Sequence, residues 1–442
     1  MLLIRSPHDI RSCGMSDRSF YNSRLLNSAE SGVSSLRISQ FAAQIQAVLI
    51  TCFVLADLVF RPKFVNIYAG SEEMSRASPV LLSVTHLIIN VLMPACMLLQ
   101  VMFVRTDFRR SKWIGVISGA LIIATIASIF ANPDSKSLIY IIVLAVTLGG
   151  SVLWVAVEPA KCGLQTMLQW TAGGHIIALL LALFTNEYLS GRLSSRAGPN
   201  YWGMTAFTAA MLALSWNQRI PRYLCIAVAV LVVVLAQARG SLVGMVIGGS
   251  CYLLLRFIHS GSRYRGWYLA GLGALLPVLP LLAPIFADKV MLVSSSGRGG
   301  ASGGSGRLDA WGQALNAFMT HPFFGVGYRQ HESYITVASN AHNTYLAILA
   351  ELGLGGLIAY LFLVIGGVWR AGTLAVRHDS RLYAAMFCFL AGFTVIGLVE
   401  YQGLATGSPM PLLMIIIASH AWAMQPRQEK LTSEPAWRRQ RT

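Results

Sequence analysis

Charged residues are scarce in this chain, and their scarcity excludes a water-soluble protein of this size. Only 12% of the 442 residues are charged and 55% are hydrophobic, whereas soluble domains carry roughly 25% charged residues. The apolar residues also form long runs. Leu138–Val157 is interrupted only by Thr147, Ser151 and two glycines, and Leu224–Ala236 has no polar break. Runs of this kind are typical of helices that cross a bilayer.

Acidic residues are the rarer charge type. The chain has 34 Lys and Arg against 18 Asp and Glu, which gives a net charge of +16. Such an excess can indicate nucleic-acid binding, but no soluble segment interleaves basic residues with aromatics, so we expect no nucleic-acid partner. When the N-terminus is placed inside and the spans alternate, most basic residues fall in inside segments, as the positive-inside rule requires. This arrangement puts both termini in the cytoplasm.

The sequence motifs of metal and cofactor chemistry are missing as well. The chain contains no phosphate-binding loop and no GxGxxG after a strand, and no CxxC pair for zinc. No pair of acidic residues faces the outer side to hold a metal, and no two carboxylates are placed for retaining glycoside hydrolysis. We therefore expect neither a metal nor another cofactor.

The hydrophobic pattern predicts an all-α, polytopic membrane protein with about twelve transmembrane helices. The predicted spans lie near 40–60, 79–103, 113–131, 137–156, 164–186, 201–217, 221–238, 241–258, 267–287, 342–369, 382–402 and 409–424. The predicted organisation is a cytoplasmic tail over 1–38, the first nine helices over 39–287, a periplasmic loop over 288–341, the last three helices over 342–424 and a cytoplasmic tail over 425–442.

The loop 288–341 differs from the other connections by its length, and long loops are usually functional or disordered. Its first part, 294–306, is rich in Gly and Ser and has the composition of a flexible tether. Its second part predicts a short helix, because Leu308, Trp311, Leu315 and Phe318 recur at helical spacing. We expect this helix to end near His321 and to lie on the membrane surface or over a cavity.

Four arginines on the outer side run against the topology rule and need a reason. Arg192 and Arg196 share one outer loop, Arg239 lies at the tip between two apolar runs, and Arg307 opens the predicted loop helix. An arginine matches a phosphate with two parallel donors and stays protonated. Each could instead pair with a carboxylate or a lipid head group, but outer carboxylates are few. Several arginines that converge would hold a lipid-linked diphosphate.

His342 is the best candidate for a general base. Histidine titrates near neutral pH, and a position at the start of a span disfavours the cation, so that the ring can accept a proton. The alternative is that His342 is only a polar residue at the membrane interface. Glu351 is about half a turn from the face of His342 and is interpreted as a packing or helix-bonding residue. We interpret Glu400 in the same way.

These residues resemble the O-antigen ligase and polymerase superfamily. The matching motifs are Arg196-Ala-Gly-Pro-Asn200, Ala238-Arg-Gly-Ser241, Arg307-Leu-Asp-Ala-Trp311, His321-Pro-Phe-Phe-Gly-Val-Gly327, Ala341-His-Asn-Thr-Tyr345 and Glu351-Leu-Gly-Leu-Gly-Gly356. Their order is specific for the superfamily and much less specific for the member. The resemblance covers about 190–360, and the Gly/Ser tether at 294–306 departs from it in being longer and plainer.

The resemblance implies a metal-independent, inverting glycosyltransferase of the GT-C type in the cell inner membrane, with a periplasmic active site. The donor would be an O-antigen glycan on undecaprenyl diphosphate, and the acceptor would be the lipid A–core oligosaccharide. The family's catalytic histidine falls on His342. Its diphosphate-binding arginines fall on Arg196, Arg239 and Arg307. Secondary candidates in or beside the motifs are Arg192, Trp311, Asn343 and Tyr345.

Three other functions stay open at this point. An O-antigen polymerase would use the same donor with a second lipid-linked glycan as acceptor, and a protein O-oligosaccharyltransferase would use a protein hydroxyl. The compact motifs and the single outer loop favour the ligase. A transporter is less favoured, because transporters often show paired, broken helices and charges near the midplane, whereas the ionisable residues here gather at one leaflet. The sequence leaves the oligomeric state open.

Overall fold

The structure is a computed structural model that describes most of the chain. The described residues are 23–60, 80–104, 106–131, 135–157, 160–185, 188–189, 192–193, 198–262, 265–266, 268–270, 306–338, 340–404 and 408–424. The predicted tails 1–38 and 425–442, the predicted span 267–287 and the Gly/Ser segment 294–306 lie wholly or largely outside them. The following account concerns the described residues only.

The described chain is almost entirely helical. The helices of the first part are α1 (Ser23–Phe60), α2 (Val80–Phe103), α3 (Lys112–Ala131), α4 (Ser135–Ala156), α5 (Ala160–Phe184), α6 (Pro199–Ala213), α7 (Arg219–Ala236) and α8 (Arg239–His259). A small antiparallel hairpin of β1 (Tyr188–Leu189) and β2 (Arg192–Leu193) precedes α6. The second part contains α9 (Arg307–Thr320), α10 (Thr344–Arg377), α11 (Arg381–Ile396) and α12 (Pro409–Ala423). The predicted all-α class is confirmed, apart from that hairpin and an isolated β-bridge between Thr106 and Val157.

Eight of these helices are long and apolar enough to cross a membrane, namely α1 to α5, α7, α8 and α10. Helices α11 and α12 are apolar but shorter, and α6 has only 15 residues. The predicted count of twelve spans is therefore not confirmed. Large apolar side chains such as Ile123, Phe130 and Phe184 are 69%, 84% and 86% exposed. Because soluble monomers rarely expose broad apolar surfaces, this pattern supports a multi-pass membrane protein.

The helices pack into one bundle with two ends. Helix α1 packs on α2 and α5, α6 packs on α7, and α8 packs on α11, while α10 contacts α3, α11 and α12. Helices α6, α8 and α10 begin at the end where α11 finishes, and we call this the site end. Helices α7 and α11 begin, and α8 and α10 finish, at the opposite end, which we call the basic end because many Arg residues lie there.

Helix α10 is interrupted at Gly353, which has φ 67° and ψ −168°. Only glycine adopts this conformation readily. The interruption frees backbone groups, and the loop segment after α9 bonds to them. Val326 N–H donates to Ala350 O (2.8 Å), and Leu354 N–H donates to Pro322 O (3.0 Å). The break in the helix is stable because its backbone partners are supplied by another segment.

This contact explains why two of the sequence motifs are rich in glycine. Gly325 lies against the backbone of α10, and a Cβ atom on it would be 2.3 Å from Glu351 O. A Cβ atom on Gly353 would be 2.4 Å from Phe323 O. The two backbones can therefore meet only if neither position carries a side chain. The motif 321–327 and the motif 351–356 form one structural unit.

Candidate active site

The candidate site lies at the site end and is centred on Glu400, in the turn after α11. Glu400 is 9% exposed. Its Oε1 accepts hydrogen bonds from Arg307 Nη2 (2.9 Å) and Asn200 Nδ2 (3.0 Å). Its Oε2 lies 3.8 Å from His342 Nδ1. A Cβ atom on Gly240 would be 3.4 Å from Glu400 Cγ, so the start of α8 also touches this side chain.

Four helices therefore direct their N-termini to one carboxylate. Asn200 is the second residue of α6, Gly240 the second of α8 and Arg307 the first of α9, while His342 lies two residues before α10. Helix N-termini carry unpaired N–H groups and partial positive charge. Together with the guanidinium of Arg307, they form a site whose charge suits an anion.

The backbone around Glu400 is held by α10. Thr344 Oγ1 donates to Glu400 O (2.9 Å), and Thr344 N–H donates to Gly397 O (2.8 Å). Glu400 N–H donates to Ile396 O at the end of α11 (2.9 Å). The start of α10 and the end of α11 are thus fixed to each other, and this fixes His342 relative to Glu400.

His342 has an unusual backbone conformation. Its φ is +46°, in the left-handed region that few residues other than glycine adopt. The conformation is supported by a bond from its N–H to Asn340 Oδ1 (2.8 Å). Its side chain is 26% exposed, so the ring is accessible from the site. Strained backbone of this kind is often found at functional positions.

Asn343 and Tyr345, two of the secondary candidates, have structural contacts. Asn343 is the N-cap of α10, since its Oδ1 accepts from the N–H groups of Tyr345 (2.9 Å) and Leu346 (3.0 Å). Its Nδ2 donates to Leu398 O (3.0 Å). Tyr345 donates its hydroxyl to Thr394 O (2.7 Å). Both residues orient the segment that carries His342, and their contacts are with protein groups.

Arg192 and Arg239 lie on either side of the turn between α7 and α8. Arg192 Nε donates to Ala236 O (3.0 Å) and its Nη2 to Gln237 O (3.3 Å). A cation at the carbonyl end of a helix is favourable, so Arg192 holds the turn in place. Arg239 is partly buried and opens α8 beside Gly240. Arg239 is therefore adjacent in sequence to Gly240, which lies beside Glu400.

Two of the predicted site residues need separate mention. Arg196 lies outside the described residues. Trp311 is partly buried on α9, one turn after Arg307, and its buried Nε1 has no hydrogen-bond partner in the part of the chain that the structure describes. An unpaired buried N–H is uncommon. The Nε1–H group of Trp311 is therefore an available hydrogen-bond donor one helical turn from Arg307.

Sequence reasoning missed Glu400 and Asn200 as site residues. From the sequence, Glu400 is interpreted as a packing or helix-bonding residue, although an ionisable residue within an apolar region is by itself a signal of function. In the sequence, Asn200 is recognisable only as the last residue of the motif 196–200. Within the described residues, no group of three or more metal-ligating side chains is present.

A second buried cluster is joined to the first through the chain, because Tyr401 follows Glu400. Glu351 and His331 are both buried and paired, with His331 Nδ1 and Glu351 Oε1 2.5 Å apart. The Tyr401 hydroxyl donates to Glu351 Oε1 (3.2 Å) and accepts from Arg329 Nη1 (3.2 Å). The Glu351 side chain is therefore fully occupied by structural partners.

Arg329 connects this cluster to α4. Its guanidinium lies 5.4 Å from the ring centre of Tyr140 and 5.5 Å from that of Tyr401, distances typical of cation–π contact. Burial alone would lower the pKa of Arg329, but the neighbouring Tyr401 and Glu351 raise it above its ordinary value. Burial raises the pKa of the Tyr401 hydroxyl well above its usual range. Arg329 stays charged, Tyr401 stays protonated, and both hold the loop on the bundle.

Comparison with known proteins gives one family match and one relative. Residues 224–361 match the family described as O-Antigen ligase, and the matched segment contains Arg239, Arg307 and His342. A protein of Rickettsia prowazekii (strain Madrid E), provisionally named a polysaccharide ligase, is 24% identical over 259 residues. That similarity covers 52% of this chain and 61% of the relative's length.

The resemblance predicted from the motifs is thus confirmed, because residues 224–361 match the O-antigen ligase family. Glu400 and Asn200 lie outside the matched segment and reach the site only through the packing of α6 and α11.

Proposed function

We propose that this protein is an O-antigen ligase that transfers a glycan from undecaprenyl diphosphate to the lipid A–core oligosaccharide. The reaction takes place at the periplasmic face of the inner membrane, needs no metal and inverts the anomeric carbon. The observation that carries the proposal is the meeting of His342, Arg307 and Asn200 around Glu400 among four helix N-termini. The family match supports the reaction class.

The donor diphosphate binds among Arg307, Arg239 and Arg196. Guanidinium groups pair with phosphate oxygens in a two-pronged geometry, and the N-termini of α6, α8 and α9 add N–H donors and positive potential. Charge develops on the diphosphate as its bond to the sugar breaks, so groups that hold it also stabilise the transition state. Glu400 holds Arg307 ready in the free enzyme.

His342 acts as the general base. The acceptor hydroxyl gives its proton to the imidazole while its oxygen attacks the anomeric carbon from the side opposite the diphosphate. The new glycosidic bond forms, the bond between sugar and diphosphate breaks, and the lipid diphosphate leaves as an anion. Glu400, 3.8 Å from His342 Nδ1, stabilises the imidazolium that results, as the third member of a nucleophile–base–acid set does.

The proposal is tested by transfer in vitro with the purified full-length protein. Lipid-linked donor and lipid A–core are incubated with the protein in the presence of EDTA, and products are separated by gel. We expect glycan-capped lipid A–core at an undiminished rate with EDTA. Loss of activity with EDTA that returns with a divalent metal would contradict the metal-independent mechanism.

The histidine is tested in the same assay. His342→Ala should lower the rate by about 10²–10⁴-fold, the usual contribution of a general base, while binding of the donor persists. His321→Ala is the matched control, because His321 is exposed at the end of α9 and should leave the rate unchanged. Equal activity of His342→Ala and the parent protein would remove the proposed base.

The acceptor distinguishes the remaining functions. If the protein instead lengthens lipid-linked glycans when no lipid A–core is present, it is a polymerase. If it modifies Ser or Thr of an added periplasmic protein extract and leaves lipid A–core unmodified, it is a protein O-oligosaccharyltransferase. Either result would contradict the proposed ligase activity. Both activities are compatible with the family match.

A further inference from the structure

A cleft at the basic end, far from the candidate active site along α8 and α10, has the character of an anion site. It is open to solvent and lies between the last turn of α8, the end of α10 and the start of α11. Its lining includes Arg256, His259, His378, Ser380 and Arg381. None of these residues has a part in the proposed glycosyl transfer.

A third guanidinium lies next to this cleft. Arg381 Nη1 donates to Trp216 O (2.6 Å), and Arg222 Nη1 donates to the same oxygen (3.2 Å). Arg222 is only 3% exposed, and its buried Nε has no hydrogen-bond partner among the described residues. Two guanidinium groups that share one carbonyl oxygen repel each other, and a nearby anion would relieve this repulsion.

The acidic residue that lines the cleft pairs with only one of these cations. Asp379 lies 3.4 Å from Arg256, and its side chain is 66% exposed. Exposed ion pairs are weak because water and salt screen them. The positive-inside rule explains why basic residues lie at the cytoplasmic end. It does not explain why they are buried or why they line one cleft. The cleft therefore carries uncompensated positive charge.

The surroundings of the cleft favour a lipid over a soluble ion. Tyr252 of α8 lines the cleft, while the next two residues of the helix, Leu253 and Leu254, are 57% and 55% exposed. On α10, Val376 is 46% exposed. The same helix turns thus carry cations at the cleft and apolar side chains on the outside, as a phosphate group attached to acyl chains requires.

We propose that this cleft binds the phosphate of an anionic phospholipid from the adjacent leaflet, which the positive-inside count assigns to the cytoplasmic side. Arg256 and Arg381 contact the phosphate oxygens, and the apolar residues of α8 contact the acyl chains. The site is independent of the proposed glycosyl transfer, so a failure of one proposal leaves the other standing.

The experiment titrates the purified full-length protein with phosphatidylglycerol or phosphatidylcholine and counts the bound lipid by native mass spectrometry. We expect retention of phosphatidylglycerol but not of phosphatidylcholine. Arg256→Gln should weaken phosphatidylglycerol binding about tenfold, as the loss of one charge-assisted contact does. Arg256 is preferred to Arg381 because Arg381 also holds the Trp216 carbonyl, and its replacement could disturb the fold.

The control is Arg377→Gln, which removes the same charge from an exposed position at the same end of α10 that does not line the cleft. It should bind phosphatidylglycerol like the parent protein. If Arg377→Gln weakens binding as much as Arg256→Gln, the effect is diffuse electrostatics and the site is disproved. If inorganic phosphate at millimolar concentration displaces the lipid, the ligand is a soluble phosphate and the lipid proposal is wrong.

Discussion

Glu400 carries a negative charge among groups that are otherwise hydrogen-bond donors or cations. In the free protein its carboxylate accepts from Arg307 and Asn200 and lies near His342. A diphosphate that enters the site meets the same donors. In the proposed reaction, Glu400 would therefore compete with the donor for Arg307 and would also support the imidazolium of His342. These two effects act in opposite directions on binding and on rate.

Replacement of Glu400 separates the effect on donor binding from the effect on the transfer rate. Glu400→Gln keeps the size of the side chain and removes its charge, so we expect the transfer rate to fall about 10–100-fold through the loss of support for His342⁺. Donor affinity should stay equal or rise, because Arg307 is released. Rate and affinity are measured by single-turnover transfer and by titration with lipid-linked donor.

Glu332→Gln is the matched control. Glu332 lies in the segment between α9 and α10, its side chain is exposed, and it is 3.8 Å from Arg329. It should change neither quantity. A Glu400→Gln protein with the parent rate would show that the carboxylate has no part in the proton transfer.

At the scale of the elements, the interrupted helix α10 positions the site. The break at Gly353 lets the segment after α9 bond to the freed backbone of α10. Because α9 begins with Arg307 and α10 begins two residues after His342, this contact fixes the two helices that carry both residues. At the same junction, the side chain of Glu351 contacts those of His331 and Tyr401. These side-chain contacts add to the backbone bonds that fix the two helices.

The prediction at this scale is a glycine comparison. Gly353→Ala places a Cβ atom 2.4 Å from Phe323 O and on a backbone with positive φ, so we expect a loss of stability of at least about 1–3 kcal/mol and reduced transfer. Thermal unfolding of the purified protein measures the first effect, and the transfer assay measures the second.

Gly355→Ala, two residues further along α10, provides the control. No atom lies within 4 Å of a Cβ added there, and alanine is the better helix former. Its stability should be unchanged or slightly higher. If the two variants have the same unfolding temperature, the break in α10 does not depend on glycine.

At the scale of the whole molecule, the bundle has one end that contains the candidate site and one end rich in cations. The site end gathers four helix N-termini, and the basic end contains the cleft lined by Arg256 and Arg381. With the basic end in the cytoplasm, as the positive-inside rule predicts, the candidate site faces the periplasm. The proposed ligase requires this orientation, because its acceptor is on that side.

Cysteine labelling tests the orientation. In intact cells, a membrane-impermeant maleimide should label Met319→Cys, which is on α9 where Met319 is 68% exposed. It should label Arg377→Cys, at the end of α10, only after the membrane is permeabilised. The unsubstituted protein measures the background from native cysteines. The reverse pattern of labelling would place the candidate site in the cytoplasm and refute the proposed reaction.

The sequence predicted the local features well, because hydropathy and helical spacing are properties of neighbouring residues. The apolar runs correspond to the helices α1 to α8 and α10 to α12, and the loop helix was expected to end near His321, which is its C-cap. The total of twelve spans is not confirmed, since the structure describes eight helices of sufficient length. The span 267–287 and Arg196 fall in parts that it does not describe.

What the sequence by itself determined was the membrane class, the resemblance to the O-antigen ligase family and the residues His342, Arg239 and Arg307 as candidates, since motifs and residue types suffice for these. Only the tertiary structure decided that Glu400 and Asn200 meet Arg307 and His342, that Arg192 holds the α7–α8 turn, and that Asn343 caps α10. The physical reason is distance along the chain. Positions 200 and 400 become neighbours because helices α6, α8 and α11 pack together, and no local pattern encodes that packing.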